Sequence, residues 1–86
     1  MDGQRLILND SLTIEGGSAG YSSGYLWLYI QGWTMARAAQ IFTNPKYTEK
    51  IEFQYGEMSD IYRGYTNCTV LQQDADGQIS VCMTKG

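Results

Sequence analysis

Tyr25-Leu26-Trp27-Leu28-Tyr29-Ile30 is apolar at every position. In an extended chain successive side chains point to opposite sides, so Leu26, Leu28 and Ile30 share one face and Tyr25, Trp27 and Tyr29 the other. Such a segment reads as the central strand of a sheet. It is either covered on both faces, or covered on one and wetted through aromatic rings on the other.

The flanking sequence supplies the neighbours. Leu6-Ile7-Leu8 and Leu12-Thr13-Ile14 lie either side of Asn9-Asp10, a pair that tolerates the positive φ angles of a tight turn, so residues 5 to 15 read as a hairpin. From Gly16 to Gly24 four glycines and three serines fall in nine positions, which makes regular structure entropically costly and predicts a loop. After the central strand, Thr34 offers an N-cap oxygen, and Met35, Ala38, Ala39 and Phe42 recur at one-face helical spacing. Pro45 pushes Asn44 out of helical geometry, so this short helix should end at about Thr43.

Ile51, Phe53 and Tyr55 then alternate with Lys50, Glu52 and Gln54, the pattern of a strand with one wet face. Strands at Ile61 to Thr66 and Cys68 to Gln73, a turn at Asp74-Ala75-Asp76-Gly77 and a last strand at Ile79 to Met83 complete a meander. The expectation is an α+β, β-dominated domain: one antiparallel sheet of five to seven strands, open or curled toward a small barrel, with one short helix packed on it. Ile51, Phe53 and Val81 belong to its core.

The 86 residues leave room for a single domain, residues 1 to 86, and a domain of this size buries only about 60% of its unfolded surface. Hydrophobic residues make up 43% and charged residues 17%, a balance that folds rather than stays disordered. No apolar run approaches the roughly 20 residues of a membrane helix, and Met1-Asp2-Gly3-Gln4 lacks the basic and apolar regions of a signal peptide. Neither membrane insertion nor secretion by a signal peptide is expected. Cys68 and Cys82 are too few for a disulfide framework and read as reduced and buried. A net charge of −3 and a pI near 4.6 oppose direct contact with phosphate backbones, so no nucleic-acid partner is expected.

The chain has no histidine, so Ser-His and Cys-His pairs are excluded within it. A carboxylate pair drawn from Glu49, Glu52, Glu57, Asp60, Asp74 and Asp76 could serve as acid and base. Most of these fall at predicted turns or on wet strand faces, where solvation is the ordinary explanation. The stretch from Gly16 to Gly24 lacks the Gly-Lys-Ser/Thr ending of a phosphate loop. Asp74-Ala75-Asp76-Gly77 opens like a calcium loop but has no carboxylate between residues 78 and 84. The reading is non-enzymatic, with no metal and no cofactor.

Two surfaces remain as binding candidates. Seven tyrosines, two tryptophans and two phenylalanines are more rings than a core this small encloses, so some of Tyr21, Tyr25, Tyr29, Trp33, Tyr62 and Tyr65 should reach the surface and anchor an interface. The competing reading packs Tyr25, Trp27 and Tyr29 under the helix. Between Glu57 and Asp76 the carboxylates Glu57, Asp60, Asp74 and Asp76 face a single Arg63. An edge of that sign could occupy a basic groove, or it could be a set of solvated turns.

The segments Leu26-Trp27-Leu28-Tyr29-Ile30, Thr34 to Phe42, Ile51-Glu52-Phe53-Gln54-Tyr55-Gly56, Tyr62-Arg63-Gly64-Tyr65-Thr66 and Gly77 to Cys82 together resemble small uncharacterised proteins of phage and prophage tail-module regions in Gram-positive gut bacteria. The resemblance spans roughly residues 5 to 84. It rests on strand and turn signatures and supplies no catalytic or binding residue. It implies a phage origin, and two functions compete under it: a tail- or baseplate-associated structural or assembly accessory protein that binds other phage proteins, or an acidic, anti-CRISPR-like inhibitor that blocks a host defence nuclease complex. The expected location is the host cytoplasm or the virion. Exposed sheet edges and aromatics also make a homo-oligomer conceivable.

Overall fold

The computed structural model describes residues 3–86. Asn9 and Asp10 take φ angles of 50° and 57° and return β1 (Arg5–Leu8) along β2 (Leu12–Glu15), the expected hairpin. The next hairpin occupies sequence that reads as a loop. Ser18–Ser22 is β3, joined to β4 (Tyr25–Ile30) through Ser23 and Gly24, both at positive φ. The segment is held as a strand by its five-residue ladder with β4, in which Ser18, Gly20 and Ser22 lie directly beside Tyr29, Trp27 and Tyr25.

Thr34 caps α1 (Met35–Phe42), its hydroxyl oxygen accepting from the Arg37 amide at 3.1 Å, and Thr43 ends it as expected. A second, one-turn helix follows where none was expected, α2 (Pro45–Thr48). The Asn44 side chain accepts from the Lys46 amide at 3.0 Å, and proline at the first helical position has no amide to leave unpaired. The residues that stop one helix therefore start another.

Strand β5 (Lys50–Tyr55) turns through Gly56-Glu57 into β6 (Met58–Arg63). This strand begins three residues earlier than Ile61, because the two-residue turn pairs Tyr55 with Met58. It is followed by β7 (Asn67–Gln73) and β8 (Ile79–Thr84). Gly64, at φ 81°, separates β6 from β7.

Eight strands, rather than five to seven, form two antiparallel sheets rather than one. Their orders are β2-β1-β5-β6 and β3-β4-β8-β7, with open edges, so no barrel closes. The cause is visible in the side-chain alternation. Leu6, Leu8, Ile14, Ile51 and Phe53 line one inner face; Leu26, Leu28, Ile30, Ile79, Val81 and Met83 line the other, and all join a single core. Two apolar faces are better hidden against each other than spread over one sheet that a short helix would have to cover. Ala38 and Phe42 of α1 enter the same core. Cys82 is buried, whereas Cys68 is only half-buried; both are free thiols.

The crossing from β2 to β3 runs through Gly17, which is buried. A Cβ there would lie 2.9 Å from Cδ1 of Leu6, whereas one on Gly20 would meet nothing within 4 Å. Gly17→Ala should destabilise the protein by about 1–3 kcal/mol through overpacking, and Gly20→Ala should change stability by less than about 0.5 kcal/mol. Urea unfolding of the two variants checks the contrast.

Candidate functional site

The two sheets turn very different faces to solvent. Strands β1, β2, β5 and β6 carry Arg5, Glu15, Lys50, Glu52, Asp60 and Arg63, all but Asp60 on the outer side of their sheet. Several of these groups satisfy one another. Lys50 Nζ lies 2.9 Å from Asp10 Oδ1, the Gln54 amide donates to Glu52 at 3.0 Å, and Arg5 Nε lies 3.8 Å from Glu15. Strands β3, β4, β7 and β8 contain no Asp, Glu, Lys or Arg at any position.

On the outer face of this uncharged sheet Tyr25, Trp27 and Tyr29 form a ridge along β4. Ser18, Gly20 and Ser22 make a low row on its β3 side, and Ser80, Cys82 and Thr84 a second on its β8 side. Tyr25 is 52% exposed, and Trp27 and Tyr29 are partly exposed. Cys82 lies on this face yet is 2% exposed, because Trp27 and Val70 flank it across the ladder. Neither helix covers the ridge: α1 lies against the β7 and β8 side and feeds its apolar residues into the core. Packing of Tyr25, Trp27 and Tyr29 under the helix is therefore not what the chain does.

The other aromatic candidates go elsewhere. Tyr21, whose side chain faces inward from β3, stacks on Tyr62 of β6 at 5.8 Å and meets Tyr65 edge-on at 5.9 Å. Tyr62 and Tyr65 are 6.2 Å apart, also edge-on. The Tyr65 hydroxyl donates to that of Tyr21 at 3.2 Å, and Lys85 Nζ sits 5.5 Å from the Tyr65 ring. This trio ties an edge of one sheet to an edge of the other. Tyr65 itself is only 8% exposed, so it works as a core residue. Trp33 packs on Phe42 with the Arg37 guanidinium 4.5 Å above its ring, beside α1 and away from the ridge.

The four acidic candidates are divided. Glu57 sits in the β5–β6 turn, and Asp60 on β6 accepts a 3.0 Å hydrogen bond from the Tyr55 hydroxyl. Asp74 and Asp76 belong to the β7–β8 turn of the other sheet. Asp74 Oδ1 accepts from the amides of Asp76 at 2.9 Å and Gln78 at 3.0 Å, the ordinary work of an aspartate that holds its own turn. Among the described residues there is no cluster of three potential metal ligands and no enclosed pocket.

Trp27, at the centre of the ridge, is the residue that sequence reasoning left out of its interface candidates. Its signal was the small-residue alternation Ser18, Gly20, Ser22, which becomes legible only once β3 is known to pair with β4. Compared with models of protein families, with curated proteins and with solved structures, the chain matches none.

Three tyrosines hold their protons above the ordinary tyrosine value: Tyr65 through its bond to the Tyr21 hydroxyl and then burial, Tyr62 mainly through burial, and Tyr55 mainly through its bond to the Asp60 carboxylate. A group whose folded pKa is raised keeps the folded state favoured below its unfolded value and loses that advantage as pH climbs through the folded one. Stability should therefore fall above about pH 10. Tyr65→Phe should shrink that fall, as read from denaturant midpoints measured between neutral and strongly alkaline pH.

Proposed function

We propose that this chain is a non-enzymatic protein-binding module that docks through the ridge of Tyr25, Trp27 and Tyr29, and that it serves as a tail- or baseplate-associated accessory protein of a phage. The observation that carries the binding surface is the complete absence of charge from the four strands presenting that ridge. The solvated face of an antiparallel sheet ordinarily carries polar side chains, charged ones among them. Tyrosine and tryptophan in their place expose apolar surface with little rotamer entropy to lose, which suits an interface anchor. Depletion of charge with enrichment of Tyr and Trp is the compositional mark of an interface centre. The resemblance to phage tail-module proteins supports another virion protein as the partner.

The competing reading, an inhibitor of a host defence complex acting through an acidic edge, draws less support. Its four carboxylates are divided between hairpins of different sheets, and two of them are engaged in hydrogen bonds.

Co-purification from lysogenic or infected cells separates the two readings. Recovery with tail or baseplate proteins is expected. Tyr25→Ala should weaken that complex by about 2 kcal/mol or more, the scale of an interface hot spot, while leaving the melting temperature nearly unchanged because the ring is half exposed. Neutralising Glu57, Asp60, Asp74 and Asp76 together should leave it intact across a range of salt concentrations. Recovery with a nuclease complex, lost on neutralisation and in high salt, would overturn the proposal.

A further inference from the structure

Four strands form the edges of the two sheets: β2, β6, β3 and β7. An edge presents unpaired backbone groups, and proteins normally protect it with a bulge, a cover, brevity or an interrupting residue. Strand β7 has a bulge between Cys68 and Val70 and lies against α1. Strand β2 is four residues long, and β3 contains Gly20 at its centre.

Strand β6 has none of these; of the charged side chains that also blunt an edge it carries Arg63 and the inward-facing Asp60, which is bonded to the Tyr55 hydroxyl. It runs six residues without Gly, Pro or register shift, and it exposes Met58 by 64% and Ile61 by 48%.

Its free hydrogen-bonding side can be identified. A two-residue hairpin turn makes the flanking residues, Tyr55 and Met58, a hydrogen-bonded pair. Alternation then turns the backbone groups of Met58, Asp60 and Tyr62 toward β5. The 2.9 Å bond from the Gly64 amide to the Glu49 carbonyl continues the same parity. The amides and carbonyls of Ser59, Ile61 and Arg63 therefore point away from the sheet, and none of them has a partner among the described residues.

We propose that β6 pairs antiparallel with β6 of a second copy, with Ile61 on the two-fold axis. Only registers that set outward-pointing residues opposite one another form a ladder. Of the two with greatest overlap, one is centred on Asp60 and sets two carboxylates against each other. The other is centred on Ile61. It places Ile61 against Ile61, Ser59 against Arg63 and Asp60 against Tyr62, so apolar meets apolar and no like charges meet. It also uses all three outward-facing residues of each strand. The two sheets β2-β1-β5-β6 fuse into one, and the aromatic ridge, on the other sheet, stays free in both copies. A symmetric, isologous contact of this kind closes on itself as a dimer.

Light scattering on the eluting protein should give twice the 9.7 kDa chain mass. Ile61→Pro removes an outward amide that β5 does not use, and Ile61→Lys sets two cations on the axis; both should elute as folded monomers. Under mild oxidation Ile61→Cys should form a disulfide-linked dimer, because facing residues of a hydrogen-bonded pair lie about 5.5 Å apart at Cα. Ser59→Cys should not, since the two copies of residue 59 stand four positions out of register. A monomeric native protein, a dimer that survives both Ile61→Pro and Ile61→Lys, or equal cross-linking at residues 59 and 61 would overturn the proposal.

Discussion

Neither sheet of this protein exists until β1 meets β5 and β4 meets β8. The other pairings are hairpins that close locally, and an isolated hairpin is only marginally stable in water. The two long-range pairings set Leu6 beside Phe53 and Leu8 beside Ile51, then Leu26 beside Met83, Leu28 beside Val81 and Ile30 beside Ile79. Every pair is apolar and every member is buried. A slip of one residue in either ladder would turn the whole apolar set outward, so burial and register enforce each other.

From that constraint the two outer surfaces follow. With even-numbered residues of β4 committed to the core, Tyr25, Trp27 and Tyr29 have no choice but to face away from it. With Ile51 and Phe53 committed inward, Lys50, Glu52 and Gln54 make the opposite surface wet and ion-paired. The molecule thus keeps the charges of its strands on one layer and its exposed rings on the other. Charge keeps a surface soluble and unattached, and the layer that lacks it is the one on which the proposed docking ridge stands.

The tyrosine trio shows a different use of the same residue type. Tyr21, Tyr62 and Tyr65 stack and cross at the junction of the sheets, where their rings meet and the Tyr65 hydroxyl donates to that of Tyr21. Tyr25 and Tyr29 instead stand on an open face. Their chemistry is identical, and their roles are set by which strand is adjacent.

Local pattern by itself determined the 5–15 hairpin, the capped helix from Thr34 to Thr43, the wet-and-dry alternation of Lys50 to Tyr55 and the aspartate-held turn before β8. Each depends on residues within a few positions of one another, where periodicity and turn chemistry act directly. Three features were decided only by tertiary structure: β3, the division into two layers, and the outward placement of Trp27. The strand at Ser18–Ser22 is held by its ladder with β4, which follows it in the chain and lies beside it in the sheet. The uncharged layer was present in the sequence as four separate stretches, from Ser18 to Thr84, and nothing local says that these four belong together. Pairing between distant segments is a property of the whole core, because it is chosen by which apolar faces can hide each other best.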